Sequence, residues 1–399
     1  MKKYLFLFST FFLALQLKAQ TLKPDVFIVG NNNAAVAAAI QAAQSNVKTV
    51  LLLQSGGFDI APVGNDLHSG VQETFIKKMK AYENQNDSLA ALKFDKHIAN
   101  IVLSKWTDSI KNLTVIKNVL WIKADRAGKR WVFKLSDGKT VRPEVLINIA
   151  DQKLNAALKI AATGATSWAK FDYQNSIYKT NVAVGKNIDG STNTTLSLYQ
   201  LLMPAQENLV YVSDASSMLM GQSAGAVAAY AGFFNLKTSE SNLKRIQGEL
   251  IAFNTNLIPF ADVGTKDSNW KAIQMVGITG MLKAEEINGK LLFNAEKLVS
   301  TADIREPMSA HYYKAQIWFD DHKSEAITIE DALSMICYVG NKAPESTRKE
   351  VEKKWKTTYG FATDFNPERQ VSKRELAVML QDYMPPFNVT IDKTGKILR

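Results

Sequence analysis

Cysteine is almost absent from this chain of 399 residues, which has only Cys337. A single cysteine excludes an intramolecular disulfide, a cysteine-rich scaffold and a cysteine-based zinc site. Cys337 lies in an apolar run that extends from Ala332 to Tyr338. This setting predicts a packed thiol rather than a catalytic nucleophile.

Histidine is also scarce. The chain has four, at His68, His97, His311 and His322. None is spaced from another as metal ligands are, so the sequence predicts no metal site. The Asp320-Asp321-His322 cluster fits a cation site and an exposed helix end equally well.

Charge of one sign is not concentrated along the chain. Lys and Arg number 48 and Asp and Glu 38, a net charge of +10, yet the basic residues are scattered except for a lysine-rich stretch over 349–356. Nucleic-acid-binding proteins cluster their basic residues into a patch or stripe. We therefore predict no nucleic-acid partner, and a solvated helix face explains the stretch.

The longest apolar run near the N-terminus, Tyr4 to Gln16, is too short to cross a bilayer comfortably as a helix. Lys2 and Lys3 precede it, and the small residue Ala19 follows. This order predicts a secretory signal peptide over 1–19 and export to the periplasm or beyond, with no transmembrane segment after cleavage. An uncleaved N-terminal anchor helix is the alternative.

The stretch from Asp25 to Gln54 contains the clearest structural signal. An apolar run, Val26 to Val29, is followed by Gly30 and three asparagines, then by an alanine-rich helical pattern from Ala34 to Gln44 and a second apolar run, Val50 to Leu53. Strand, tight turn, helix and strand form the βαβ unit that opens dinucleotide-binding folds. Continuous apolar strands are typical of a parallel sheet covered on both faces.

The rest of the N-terminal half alternates helix and strand patterns. Residues 70–111 read as helical, and Met218–Phe234 reads as an Ala/Gly-rich helix. The predicted strands are 113–123, 129–135 and 140–141, which form an antiparallel meander, and then 145–150, 177–184 and 208–212.

The C-terminal part is predicted to be mainly helical, with a domain boundary near residue 245. Two of its helix starts read as capping boxes, Ser300 with Asp303 and Ser372 with Glu375. An internal repeat and two ordinary helix starts explain this similarity equally well. The predicted organisation is a signal peptide over 1–19, a dinucleotide-binding-like domain over 20–245 and a helical domain over 246–399.

This collinear order of elements resembles secreted bacterial FAD-dependent oxidoreductases. The similarity covers residues 25–60, 113–155 and 174–245, and it includes the GQSAG sequence that begins at Gly221. The chain looks like a shortened and degenerate member of that family. The implied fold is α/β: a Rossmann-like FAD/NAD(P)-binding domain with a small antiparallel β-meander, followed by a helical domain similar to S-layer-homology modules.

The resemblance implies an FAD cofactor and assigns roles to individual positions. Gly30 makes the tight turn, Asn32 replaces the glycine that lets the backbone approach the pyrophosphate, and Ala35 replaces the glycine that packs helix on strand. Asn tolerates a positive φ, so we expect the turn to survive. Asn33 and Ala34 begin the helix whose amides face the pyrophosphate.

The remaining implied contacts lie at later strand ends. Gln54 replaces the acidic partner of the ribose, Ala150 lies in the flavin-side turn that has lost its glycine, and Asp214 matches the residue that binds the ribityl chain. Gly221 matches the helix that follows.

Catalytic chemistry has only weak candidates in this sequence. Asp189 is the one candidate catalytic residue, and a turn before Gly190 explains it at least as well. The G-x-S-x-G spacing over 221–225 also fits a hydrolase nucleophile elbow, but the preceding strand, 208–212, is too far away.

Two functions from different classes therefore remain open. The first is an exported FAD-dependent oxidoreductase with an unknown small-molecule substrate, which Gly30, Asp214 and Gly221 favour. The second is a non-catalytic relic of the flavoprotein fold that acts as a ligand- or partner-binding scaffold. The asparagine turn and Gln54 favour that alternative.

Overall fold

The structure of the protein is a computed structural model that describes residues 20–63, 68–84, 94–128, 130–160, 168–186, 192–203 and 205–398. The predicted signal peptide over 1–19 and Asp189 lie outside the described residues.

The strands are β1 (Thr21–Leu22), β2 (Val26–Val29), β3 (Thr49–Leu53), β4 (Leu113–Lys117), β5 (Trp121–Ala127), β6 (Arg130–Leu135), β7 (Thr140–Val141), β8 (Val145–Ile149), β9 (Ala169–Lys170), β10 (Asn181–Lys186), β11 (Asn193–Ser197), β12 (Leu209–Val212), β13 (Glu285–Ile287) and β14 (Lys290–Leu292). The α-helices are α1 (Asn33–Gln44), α2 (Gly70–Tyr82), α3 (Lys96–Asp108), α4 (Gln152–Leu158), α5 (Met218–Phe234), α6 (Leu243–Ala252), α7 (Trp270–Gly277), α8 (Thr301–His311), α9 (Tyr313–Asp321), α10 (Ile329–Gly340), α11 (Pro344–Thr357) and α12 (Lys373–Tyr383). Short 3-10 helices cover Ser176–Thr180, Leu198–Gln200, Thr238–Glu240 and Pro386–Asn388.

A five-stranded parallel sheet forms the centre of the N-terminal part, in the order β12-β8-β2-β3-β4. The predicted βαβ unit is confirmed as β2, α1 and β3. Every residue of β2, β3, β8 and β12 is buried, which is why these strands read as continuous apolar runs. The chain therefore has the Rossmann-like α/β fold class expected from its sequence, followed by a mainly helical C-terminal part.

The antiparallel meander covers one face of this sheet. Its strands follow the order β1-β7-β6-β5, with β1 joined to β7 in parallel. Phe27 of β2 packs edge-on against Phe133 of β6, with 4.8 Å between the ring centroids. The prediction of one strand over 113–123 was wrong, because Leu113–Lys117 joins the parallel sheet while Trp121–Ala127 belongs to the meander.

Helices α1 and α5 cover the opposite face and approach each other closely at two glycines of α5, Gly221 and Gly225. A Cβ atom placed on Gly221 would lie 2.1 Å from the carbonyl oxygen of Ala34, and one on Gly225 would lie 2.4 Å from that of Ala38. Only glycine permits this approach, since real Cβ contacts are never that short.

One further strand prediction needs correction. The run 177–184 was predicted as a strand, but its first part is the 3-10 helix Ser176–Thr180 and only the following residues form β10. Asn175 caps this turn by accepting from the Ile177 N–H at 3.1 Å. Strand β10 then pairs with β11 in a small antiparallel sheet.

Three of the C-terminal helices begin at capping boxes. Those predicted at Ser300 with Asp303 and at Ser372 with Glu375 are confirmed, at the starts of α8 and α12. A third, which sequence reasoning missed, joins Thr328 to Asp331 at the start of α10.

Isolated bridges tie these three helix starts together. They pair Leu298 with Ser372, Ser300 with Ala326, and Thr328 with Gln370. The three capped starts therefore share one set of backbone contacts. Apolar residues of this helical part and of the α1–α5 layer belong to one continuous core, and the predicted boundary near residue 245 falls inside α6.

Among the described residues, no helix is long and apolar enough to cross a membrane. Cys337 is buried, as its apolar surroundings predicted, and burial raises the pKa of its thiol. Within the same residues, no group of three histidine, cysteine or acidic side chains could bind a metal ion.

Replacement of Gly221 by Ala should destabilise the protein by about 1–3 kcal/mol, the usual cost of overpacking, because the new methyl group meets backbone that cannot rotate away. Urea unfolding measures this loss. Gly264→Ala is the matched control, since nothing lies within 4 Å of its added Cβ, and its effect should stay within about 0.5 kcal/mol. Equal losses in the two variants would contradict the tight packing of α1 on α5.

Candidate functional site

The candidate site lies at the carboxyl ends of β2, β3, β8 and β12, where the first turn of α1 begins. Ligands of open α/β sheets bind in the crevice at this edge. The free N–H groups and positive dipole of a helix start suit a pyrophosphate there. Such a site requires N–H groups that are not already bonded to other protein atoms.

Gly30 ends β2 in the conformation that the resemblance implies. Its φ is +148°, in a region that disfavours other residues, and a Cβ would lie 3.1 Å from that of Ala35. Its N–H donates to the carbonyl of Leu52 at 3.1 Å. The tight turn is therefore present, and Ala35 fills the space beside it.

Asn32 is the N-cap of α1. Its side-chain Oδ1 accepts a hydrogen bond from the Ala35 N–H at 3.0 Å, and its own carbonyl accepts from the Val36 N–H at 3.1 Å. The turn survives as expected, but not through a positive φ at Asn32, whose φ of −90° and ψ of 178° are extended. Asn32 therefore caps the N-terminus of α1, a position where asparagine is among the most favourable residues.

The next amide of the helix start is also used. The Ala34 N–H donates to the carbonyl of Ala215 at 3.1 Å, from the loop between β12 and α5. Ala34, Ala35 and Val36 thus all have acceptors from the protein itself. Two of the helix-start amides that would face an anion, those of Ala34 and Ala35, are therefore already paired within the protein.

A second segment of chain covers the turn. The Asn33 side chain, fully buried, donates to the carbonyl of Ala61 at 3.0 Å and accepts from its N–H at 2.8 Å. The N–H of Asp59 donates to the carbonyl of Asn31 at 2.7 Å. Residues 58–61 are therefore bound to the asparagine turn by backbone and side chain together.

Two further side chains fix the chain between β3 and residue 61, and sequence reasoning missed both. Asn100 of α3 accepts from the Phe58 N–H at 2.8 Å and donates to its carbonyl at 2.6 Å. Asn31 donates to the hydroxyl of Ser55 at 3.0 Å. The run of three asparagines was an available signal for Asn31, because asparagine side chains readily bond to nearby groups in turns, and no local pattern pointed to Asn100.

Gln54 and Ala150 stand at neighbouring strand ends. Gln54 is exposed just after β3. Ala150 follows β8 with a φ of +48°, a left-handed conformation normally taken by glycine. Asp151 comes next and caps α4, accepting from the Leu154 N–H at 3.0 Å. The turn after β8 is therefore left-handed without a glycine.

Asp214 lies half-buried after β12. Its Oδ1 accepts from the N–H of Ser216 at 2.9 Å and from the hydroxyl of Ser216 at 2.6 Å. The carboxylate therefore organises the loop that carries Ala215 to the start of α1.

Gly221 and Ser223 belong to the interior of α5. Gly221 faces Ala34 at the helix contact described above. Ser223 is fully buried and donates to the carbonyl of Val182 at 2.7 Å. A hydrolase nucleophile stands at an exposed strand-to-helix turn, so Ser223 has the wrong position for that role.

The structure thus brings Gly30, Asn32, Asn33, Ala34 and Ala35 together at one turn, with Asp214 in the loop that meets it. An FAD pyrophosphate needs free amides at this helix start. Those of Ala34 and Ala35 are bonded to protein oxygen atoms, and residues 58–61 are fixed across the turn. The residues present do not fit the pyrophosphate.

Comparisons with known proteins give little similarity in sequence. No protein-family model and no curated protein matches the chain. Solved structures that share part of its fold include a thioredoxin reductase from T. acidophilum, 14% identical, with a TM-score of 0.20. The similarity covers 38% of this chain and 37% of that one.

Two other solved structures are similar at the same level. The p-nitrophenol 4-monooxygenase PnpA from Pseudomonas putida DLL-E4 is 11% identical over 59% of this chain and 84% of its own, with a TM-score of 0.30. The rebeccamycin biosynthetic enzyme RebC, solved with reduced flavin, is 10% identical over 38% of this chain and 36% of its own, with a TM-score of 0.25. Similarity this low says nothing about the activity of the present chain.

Replacement of Ala150 by Gly should stabilise the protein by about 0.5–1 kcal/mol, because relief of the left-handed strain exceeds the entropy that glycine adds to the unfolded chain. Thermal and urea unfolding measure the gain. Ala156→Gly, in the exposed interior of α4, is the control and should lose about 1 kcal/mol. A loss in Ala150→Gly as large as that of the control would contradict the left-handed turn after β8.

Proposed function

We propose that the chain is a binding scaffold with a flavoprotein-like fold, and that its dinucleotide turn does not hold FAD. One observation carries this proposal: the amides of Ala34 and Ala35, which would face a pyrophosphate, donate to the Ala215 carbonyl and the Asn32 side chain. The lost ribose carboxylate, replaced by an exposed Gln54, agrees with it.

Magnitudes support the same conclusion. An N-cap contributes about 1 kcal/mol, and each ordinary hydrogen bond contributes about 0.5–1.5 kcal/mol. FAD would have to displace the cap of Asn32 and the Ala215 carbonyl, and push aside the segment that Asn33 fixes to Ala61. The binding free energy of the cofactor is reduced by the sum of these losses before it makes any contact of its own.

The second candidate function is an FAD-dependent oxidoreductase that tolerates the altered turn. Gly30 supports it, because it keeps the positive φ of the fingerprint position. The left-handed turn at Ala150 also supports it, because glycine, the residue that the resemblance implies in the flavin-side turn, readily takes that conformation. Neither feature supplies a donor for a phosphate oxygen.

We also propose export of the protein to the periplasm or beyond. The basic start at Lys2 and Lys3, the short apolar core and Ala19 support a cleaved signal peptide. N-terminal sequencing of the protein secreted by its host tests this, with Gln20 expected as the first residue. Recovery of the intact N-terminus in the membrane fraction would reject it.

The chain from Gln20 to Arg399 should purify without flavin colour, and saturating FAD should leave its melting temperature unchanged. A ligand that binds only the folded state must raise apparent stability, by about 2.7 kcal/mol at a concentration one hundred times its Kd. Visible absorption and thermal unfolding with and without FAD provide the two measurements.

Asn32→Gly is the informative variant here, because glycine is an acceptable N-cap that costs only a few tenths of a kcal/mol, roughly. A melting-temperature shift with FAD in this variant alone identifies the Asn32 side chain as the group that excludes the pyrophosphate. A coloured wild-type protein, or a shift with FAD in the wild type, rejects the proposal.

A further inference from the structure

The last turn of α5 differs from the rest of that helix. Every residue from Met218 to Ala229 is buried, yet the side chains of Phe233 and Phe234 are 60% and 47% exposed. Among the described residues, they are the only exposed phenylalanines. Single apolar residues at a surface are ordinary, whereas apolar residues that cluster there mark interaction sites.

Tyr230 joins the two phenylalanines into one surface. Its ring centroid lies 4.8 Å from that of Phe234, and the Phe234 centroid lies 5.0 Å from that of Phe233. Asn235, with a φ of +51°, ends the helix directly after them. We call Tyr230, Phe233 and Phe234 the aromatic patch. Its rings are attached to helical backbone rather than to a loop.

A cavity of about 350 Å³ adjoins the aromatic patch, where the ends of α1 and α5 meet α6. All three rings line it, and so do Arg245 and Glu249 of α6. These two residues are four apart in one helix and therefore lie on the same face. Phe233 is thus an exposed side chain beside a recess of the same surface, and a charge of each sign borders that recess.

Arg245 and Glu249 are available to another molecule. Neither side chain makes an ion pair or a hydrogen bond within the described part of the chain. Glu73 and Lys77 of α2 have the same spacing and do pair, at 2.6 Å. On α6 the cation precedes the anion, the less favourable order for a pair within one helix.

A surface that carries one charge of each sign is complementary to a copy of itself. A two-fold axis that crosses α6 between Arg245 and Glu249 places the two α6 helices antiparallel. Arg245 of each copy then faces Glu249 of the other, and Phe233 of each copy faces the recess of the other. A partner of a single charge sign would instead place a like charge against one of the two residues.

We propose that the aromatic patch, Arg245 and Glu249 form a homodimer interface, with a second copy of this chain as the partner. Phe233 of each copy enters the cavity of the other, and two pairs of Arg245 with Glu249 flank the axis. Aromatic residues and arginine are enriched at the centres of protein interfaces. The interface uses no residue of the asparagine turn, so the inference does not depend on whether FAD binds there.

Sedimentation of the chain from Gln20 to Arg399 at increasing concentration should show monomers and dimers and no larger species, because an isologous contact closes at two copies. Phe233→Ser should weaken dimerisation at least tenfold, roughly, as loss of a central aromatic side chain does. Tyr313→Ser is the matched control, because Tyr313 is an aromatic residue of α9 that is 77% exposed. It should dimerise like the wild type.

Charge exchange tests the pairing across the axis. Arg245→Glu places two glutamates together at each contact and Glu249→Arg places two arginines together, so each variant alone should dimerise about tenfold more weakly than the wild type. An equal mixture of the two variants should recover dimerisation, because both contacts again join opposite charges. The double variant Arg245→Glu/Glu249→Arg should recover it without mixing.

Three results would overturn the proposal. A wild type that stays monomeric up to about 0.3 mM leaves the aromatic patch to a different molecule. Dimerisation that Phe233→Ser and Tyr313→Ser affect equally places the interface elsewhere. A mixture of the charge variants that dimerises no better than either variant alone excludes the pairing of Arg245 with Glu249. Because these side chains lie at the surface, melting temperatures close to that of the wild type should show that each variant is folded.

Discussion

The contact between α1 and α5 at Gly221 is the constraint on which the candidate site depends. With no Cβ at that position, the two helices approach until the Ala34 carbonyl fills the space a side chain would take. The loop before α5 is then close enough for the Ala215 carbonyl to accept from the Ala34 N–H. The glycine at position 221 therefore accounts both for the close packing of α1 on α5 and for the pairing of the Ala34 amide.

Two asparagine side chains make further hydrogen bonds at the same turn. Asn32 pairs with the Ala35 N–H, and Asn33 ties residues 58–61 across the turn. A dinucleotide fold uses glycine at such positions so that backbone amides stay bare for the ligand. Here a side chain and a carbonyl accept from the amides of Ala35 and Ala34, which supports our proposal that this turn does not hold a dinucleotide.

Long, strongly patterned elements were predictable from sequence, and contacts between distant segments were not. The buried strand Val26–Val29 and the helix Met218–Phe234 appear as predicted. A continuous apolar run is typical of a strand buried on both faces of a parallel sheet, and a helix rich in small residues can pack closely against its neighbours. The run 113–123 was misread because two successive strands join different sheets, a choice set by packing. The role of Asn33 depends on its two hydrogen bonds to the backbone of Ala61. No local sequence pattern predicts a contact between residues so far apart.

Amide hydrogen exchange at Ala34 and Ala35 tests the central claim most directly. Our account predicts that both amides are protected in the ligand-free chain, because each already donates to a protein oxygen atom, and that excess ADP, which carries a pyrophosphate, leaves their exchange rates unchanged. Rapid exchange in the ligand-free chain, with protection that appears only when ADP is added, would contradict it.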